Sequence, residues 1–305
     1  MYFNYFSLFL LGIVILLLRM AGSTWRFRSK PGSWSFSALL IASTLYAAGY
    51  AGELCAFEIK SMMPWIYMEY LGTSFLPSFL IVFSLSYTYR SEWLRPSVYL
   101  LLFSFSSMIL LMLYSNSSHH LFYVRTWVDT SGLFPVFMSE KGPWYWPAQV
   151  YSGLAVLLSN VLFFISWRRV GTPYRRTFVV LLVGSLVPWL ANLLYLTGKS
   201  PWYLDPTPFA LGVSCLLFLW GLRMNFLELS PLARTLLFEK LSDAILIADP
   251  QDRLVDFNPA AQRQLGLNVQ SLEASLKICF GAWESSEPDW HYTPFSNFHC
   301  ELTQT

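Results

Sequence analysis

The sequence predicts an all-α membrane protein: a seven-transmembrane helix bundle with its N-terminus outside, followed by a short α/β cytoplasmic tail. Three observations predict it. Apolar residues (AVILMFWYC) make up 55% of the 305 residues and charged residues only 12%, with a mean hydropathy of +0.44. A soluble domain has about 25% charged residues, so this chain cannot cover a water-facing surface of ordinary size. Seven apolar runs are each long enough to cross a hydrocarbon core of roughly 30 Å as a helix. The basic residues fall mostly on one side of that thread. The 13 Trp, 17 Tyr and 25 Phe suit a protein with aromatic belts at two membrane interfaces. A soluble enzyme, a disordered chain and a disulfide-stapled secreted domain are all disfavoured.

The apolar runs cover residues 2–18, 34–57, 62–88, 96–114, 147–167, 177–197 and 206–222. The first has neither the basic n-region nor the small-residue cleavage site of a signal peptide, and is read as a retained span. Threaded alternately, these runs place Arg19, Arg26, Arg28, Lys30, Arg90, Arg95, Arg168, Arg169, Arg175, Arg176 and Arg223 on one side. The other side holds Lys60, Arg125, Lys141 and Lys199. Positive loops stay cytoplasmic, so the N-terminus is expected outside and the tail inside. Pro77 in the third run and Pro188 in the sixth each remove a helix hydrogen bond. Kinks are expected there, serving either fixed packing or a pivot for signal relay.

Charge divides the chain. Residues 1–225 hold 15 Lys/Arg against 7 Asp/Glu, whereas residues 226–305 hold 5 against 11. A basic membrane part (1–225) is therefore expected to precede a linker helix (226–241) and a small acidic domain (242–305). Cys55, Cys215, Cys279 and Cys300 show no metal-ligand or disulfide spacing. No metal site and no catalytic residue is expected.

Polar groups that sit at membrane depth mark the candidate site. Tyr46, Tyr50 and Glu53 are spaced i, i+4, i+7 and share a helical face. Glu69 lies about 10 Å along the third run, at 1.5 Å per residue. Asn192 and Tyr195 stand near the outer end of the sixth run, and Asp205 opens the seventh. An acid at membrane depth costs a few kcal/mol, so such groups face a bundle interior or a wet cavity. A polar, aromatic-walled cavity near the outer face is expected, with Glu53, Glu69, Tyr46, Tyr50, Asn192 and Tyr195 as ligand-binding residues. Glu53 and Asp205 also read as headgroup-level residues, and Asp205-Pro206 as an ordinary helix start. Loop 115–146 is long enough to carry structure of its own. FYVRTWV and LFPVF flank DTSG and read as a hairpin over the outer mouth, with His119, His120, Trp144 and Trp146 as lid residues. Adjacent histidines are poor metal-ligand geometry, and GPWYW reads as an interface anchor or, less readily, a cation cage.

In the tail, Ser230-Pro231 starts the helix PLARTLLFEKL, AILIAD and RLVDFN read as strands around DPQD, and Asn258-Pro259 caps a short helix that Gly266 ends. Together, YAAGYAGEL (46–54), EYLGTSFLPSFLIVFSLSYT (69–88), SNSSHHLFY (115–123), GPWYW (142–146), PWLANLLYLTGKSPWYLDPTPFAL (188–211) and LELSPLARTLLFEKLSDAILIADPQDRLVDFNPAA (227–261) carry a resemblance. The chain resembles the N-terminal seven-transmembrane sensor region of bacterial histidine kinases, followed by an incomplete PAS domain. The resemblance implies a sensory input module in the bacterial cytoplasmic membrane that detects an extracellular or membrane-borne ligand. It also implies a homodimer, or a separate kinase or cyclase as output partner; nucleic acid is not an expected partner. Arg223 and Pro231 lie where such a module would pass its signal on.

The resemblance implies a PAS domain of about 100 residues, and only 66 run from Lys240 to Thr305. His291 and His299 have no phosphoacceptor context, and no ATP lid or cyclase signature follows. The chain is thus expected to be no kinase itself, and to be either a truncated product or a stand-alone sensor. A retinal photoreceptor would need a Schiff-base lysine in the last span, and 206–222 has none, so retinal is not expected. A small-molecule transporter is the alternative function, disfavoured because the halves show no repeat. An intramembrane hydrolase would need matched catalytic groups, which only Glu53 and Glu69 approach.

Overall fold

The fold comes from a computed structural model that describes residues 4–88, 90–130, 135–170, 172–222, 238, 241–248 and 253–267. Two compact units divide the chain, Met1–Thr235 and Leu236–Thr305. The linker segment 226–241, with Arg223 and Pro231, and the histidines His291 and His299 lie outside the described residues, apart from residues 238 and 241.

The first unit is a helical bundle built around α2 (Ser33–Glu53), which packs on α1 (Tyr5–Trp25), α3 (Ile59–Thr73), α4 (Leu76–Tyr87) and α9 (Thr207–Leu222). Outside this group stand α5 (Pro96–Tyr114), α7 (Tyr145–Arg169) and α8 (Thr172–Leu196), with the short α6 (Asn116–His119) after α5. Contacts run from α4 to α7, α7 to α8, α8 to α9 and α9 to α1, and α2 joins α1 to α4. Leu8, Leu100, Leu101 and Leu157 lie exposed on the outer surface of the bundle, as a lipid-facing surface requires.

Among the described residues, five helical stretches are long and apolar enough to cross a membrane: Tyr5–Trp25, Ile59–Tyr87, Pro96–Tyr114, Tyr145–Arg169 and Arg175–Leu196. The runs 34–57 and 206–222 correspond to α2 and α9, which differ for physical reasons. Helix α9 is only 16 residues long. Helix α2 carries Ser33, Ser35, Ser37, Ser43, Thr44 and Glu53, all buried. A helix walled by others needs no apolar coat, and its hydroxyls bond locally: Ser43 Oγ donates to the Leu39 carbonyl at 2.9 Å and Thr44 Oγ1 to that of Leu40 at 2.8 Å.

The run 62–88 lies within one helical stretch, Ile59–Tyr87, interrupted at residues 74 and 75, close to Pro77 where the sequence leads one to expect a kink. Helix α3 ends at Thr73 and α4 begins at Leu76, with Pro77 in the first turn of α4. There the missing N–H of proline has no helical partner to lose, so the chain breaks just before it. Helix α8, by contrast, runs through Pro188 without interruption.

Small residues set the α2–α3 crossing. A Cβ on Gly49 would stand 2.6 Å from Glu69 Cγ and 2.7 Å from Glu69 N; one on Gly72 would stand 2.3 Å from the Ala42 carbonyl oxygen. The two backbones touch, and that contact places Glu69 of α3 beside the Glu53 end of α2. At the same end of α2, Asn4 caps α1 and its Nδ2 donates to the Leu54 carbonyl at 3.1 Å, pinning the start of α1 to the end of α2. Further polar pins join α4, α5 and α7 through Ser78 Oγ, which lies 2.7 Å from both Ser106 Oγ and Tyr151 OH.

Between α6 and α7 the chain forms an antiparallel hairpin of β1 (Tyr123–Asp129) and β2 (Val136–Lys141), paired Val128↔Phe137 and Thr126↔Ser139, with an irregularity near Tyr123. Asn116 ties its base, accepting from the Phe122 and Tyr123 amides at 2.9 and 3.0 Å. Phe122, Tyr123, Phe137 and Tyr145 pack with Met62 and Ile66 of α3. The second unit contains β3 (Leu246–Ala248) paired antiparallel with β4 (Leu254–Phe257), then α10 (Pro259–Leu265). Asn258 Oδ1 accepts from the Ala261 and Ile245 amides, both at 2.9 Å, so one side chain caps α10 and fastens it to the start of β3. Gly266, at φ +66°, ends the helix.

The α2–α3 contact predicts that Gly72→Ala and Gly49→Ala each lower stability by roughly 1–3 kcal/mol, because neighbouring backbone must move. Gly12→Ala, where a Cβ meets open space, should leave the melting temperature equal or slightly higher. Thermal unfolding of the three variants in detergent checks this; a Gly72→Ala protein as stable as the wild type would contradict the crossing.

Candidate functional site

The face of α2 that carries Phe36, Leu39, Leu40, Ser43, Tyr46, Tyr50 and Glu53 repeats every three or four residues and lines one cavity over about 25 Å of helix. The cavity has a volume of about 230 Å³. Its half near Phe36 and Leu40 is apolar, with Phe83, Phe163 and Leu181 opposite. Its half near Glu53 is polar and aromatic, where the hairpin reaches the bundle.

All six residues expected to bind a ligand line this cavity: Tyr46, Tyr50 and Glu53 from α2, Glu69 from α3, and Asn192 and Tyr195 from α8. Pro77 and Pro188 line it as well. The loop behaves differently from its sequence reading. His119 turns back on its own helix end, with Nε2 3.1 Å from Ser115 Oγ and Nδ1 accepting from the Leu121 amide at 3.0 Å. His120 takes a left-handed conformation at φ +53° and closes that turn. Trp144 packs against the cluster around Met62 and Phe122, and Trp146 is exposed. None of these four is part of the cavity wall; the loop reaches it through Tyr123, Phe137, Lys141 and Tyr145.

Asp205 organises the wall where α2 meets the start of α9. Its Oδ2 accepts from Tyr46 OH, its Oδ1 accepts from the Thr207 amide at 2.9 Å, and its own N–H donates to Tyr50 OH at 2.7 Å. It therefore caps α9, as an Asp-Pro helix start should, and lines the cavity at the same time. Burial pushes its carboxyl above the usual carboxylate range, against the hydrogen bonds from Thr207 and Tyr46. Glu53 and Glu69, both buried, line the same cavity. Tyr70 OH and Tyr123 OH lie 2.7 Å apart and link α3 to the hairpin.

Lys141, the last residue of β2, is the group that sequence reasoning passed over. Its Nζ lies 4.6 Å from the ring centre of Tyr145, 5.1 Å from that of Tyr123 and 5.8 Å from that of Tyr195. Nζ donates to Ser139 Oγ at 2.9 Å. Burial pulls the amine down to about 8, against the opposing pull of Asp205 and Glu53. The hairpin register, which sets Tyr123 opposite Lys141, was the signal that could have found it.

The lowered value fixes a sign. Between about pH 8 and the ordinary lysine range, the folded chain holds fewer protons than the unfolded chain, so stability rises with pH across that window. Relative to a Lys141→Met variant, the wild type should gain on the order of 1–3 kcal/mol between pH 7.5 and 10. Paired melting curves in detergent measure it; parallel pH profiles would mean that the amine is not buried as described.

Comparison with known families matches residues 8–231 to the N-terminal 7TM region of histidine kinase, and residues 234–299 to the PAS domain. The second match begins within the stretch expected to be the linker helix. Comparison with curated proteins finds no match. The first match spans most of the chain, its apolar helices make this a multi-pass membrane protein, and both matched regions are of sensory type. The chain belongs to the family of the N-terminal 7TM region of histidine kinase.

Proposed function

We propose that the chain is a membrane receptor whose ligand occupies the cavity beside α2 and whose signal leaves through α9. In this reading residues 1–225 cross the bacterial cytoplasmic membrane seven times, with the N-terminus outside, and residues 242–305 lie in the cytosol after the linker 226–241. The hairpin covers the outer mouth of the cavity. The observation that carries the proposal is the wall itself: Tyr46 and Tyr50 of α2 hold Asp205 at the start of α9, the last described helix of the 7TM match. A ligand that takes over these hydroxyls releases one end of α9. The shift then passes along the chain through Arg223 and Pro231 to the PAS region and to a kinase or cyclase output, in a homodimer or on a separate protein.

A ligand moves such an equilibrium only through different affinities for two states of the bundle. The polar groups of the wall supply that difference, since each hydrogen bond to a charged group contributes about 1.5–3 kcal/mol. Two buried hydroxyls of the wall, Thr73 Oγ1 and Ser74 Oγ, have no hydrogen-bond partner in the structure, and Glu69 Oε1 accepts from no N–H or hydroxyl. Buried groups of this kind call for a water or a ligand.

The test is a chimera joining residues 1–225 and the linker to a working kinase. Glu69→Gln and Asn192→Ala should each shift the dose response to the stimulus about tenfold or more while membrane insertion is kept. Tyr46→Phe, which frees Asp205, should raise the unstimulated output. Unchanged dose responses in both cavity variants would remove the cavity from the account. Accumulation of a solute by vesicles carrying the chain, without any output response, would favour the transporter instead.

A further inference from the structure

Resting on the receptor reading, we propose that the ligand is an organic ammonium ion with an apolar substituent, and that Lys141 is a tethered competitor for the ammonium position. Three features of the chamber point to this class. The first is the ring set around Lys141 Nζ: Tyr123, Tyr145 and Tyr195 present their rings to one cation from β1, the start of α7 and the end of α8. Aromatic faces gathered around a nitrogen are the arrangement by which proteins hold alkylammonium groups. Here the cation is the chain's own, carried on a hairpin strand rather than on the bundle.

The second feature is charge. Glu53, Glu69 and Asp205 line the same cavity as Lys141. Three carboxyl groups line the wall against one amine, so the wall favours a cation over an anion. Among the described residues, no three His, Cys, Asp or Glu side chains converge as ligands for one metal ion. The third feature is the apolar half of the cavity, where Phe36, Leu40, Phe83, Phe163 and Leu181 receive what the ammonium group carries. At about 230 Å³ the space suits a small molecule.

The mechanism follows from competition. An incoming ammonium group takes the ring faces and the carboxyl groups, and Lys141 leaves with its strand while keeping Ser139, its neighbour on β2. Ligand entry is thereby coupled to displacement of the hairpin end, and removal of the lysine charge should tighten binding.

The full chain in lipid nanodiscs is titrated calorimetrically with benzylammonium, benzyl alcohol and benzoate, with empty nanodiscs subtracted. Saturable binding of benzylammonium and none of benzoate is expected, with benzyl alcohol weaker by about tenfold. Lys141→Met, and Lys141→Gln as a second variant, should tighten benzylammonium about fivefold or more, whereas Lys141→Arg should not. In the Lys141→Met background, Tyr195→Leu should lose most of that gain. Binding of benzoate in preference to benzylammonium, or equal affinities in wild type and both neutral variants, would overturn the proposal. The two readings fail separately. Kinase output that depends on the cavity without ammonium binding sinks only the ligand class, and ammonium binding without any output response sinks only the receptor.

Discussion

Asp205 is held by two tyrosine hydroxyls of a helix more than a hundred residues away in sequence, and the polar half of the bundle is arranged around that contact. A carboxyl group in a low-dielectric interior must be hydrogen-bonded or neutral. Tyr46, Tyr50 and the Thr207 amide meet that need from two helices at once. Because the same residue caps α9, the satisfaction of a buried carboxyl group and the position of α9 become one event. Disturbing either disturbs the other.

This contact depends in turn on α2 packing against α1, α3, α4 and α9. Its serines and threonine are tolerable because other helices shield them, and its small residues let α3 approach until backbones touch at Gly49 and Gly72. That approach sets Glu69 against Glu53. Two carboxyl groups placed so close are unfavourable for stability by themselves, and such local conflicts persist where function requires them.

The sequence makes part of this legible. The i, i+4, i+7 spacing of Tyr46, Tyr50 and Glu53 needs only helical geometry to share a face, and all six ligand-binding candidates line one cavity. Charge asymmetry and the Asn258-Pro259 cap are likewise local signals. What stayed hidden depends on pairing between distant segments. Lys141 enters the chamber only through the hairpin register and the position of Tyr195 on α8. His119 and His120 stand out as letters, yet the turn closing α6 uses them for local hydrogen bonding and backbone reversal. Pro77 interrupts its helical stretch at residues 74 and 75 whereas α8 runs through Pro188, because whether a proline breaks or bends a helix depends on what can replace the lost bond. The two readings of Asp205, cap and cavity residue, turn out to be compatible.

The account's central claim is that occupation of the chamber moves α9 relative to α2. Spin labels at Ile41 on α2 and Val213 on α9, both on exposed surfaces, report that distance in a background lacking the four native cysteines. Pulsed electron resonance in nanodiscs should give a distance distribution that shifts when benzylammonium saturates the chamber, and that Tyr46→Phe shifts in the same sense without it. A distribution indifferent to both, with saturation verified in the same sample, would contradict the coupling of Asp205 to signal output.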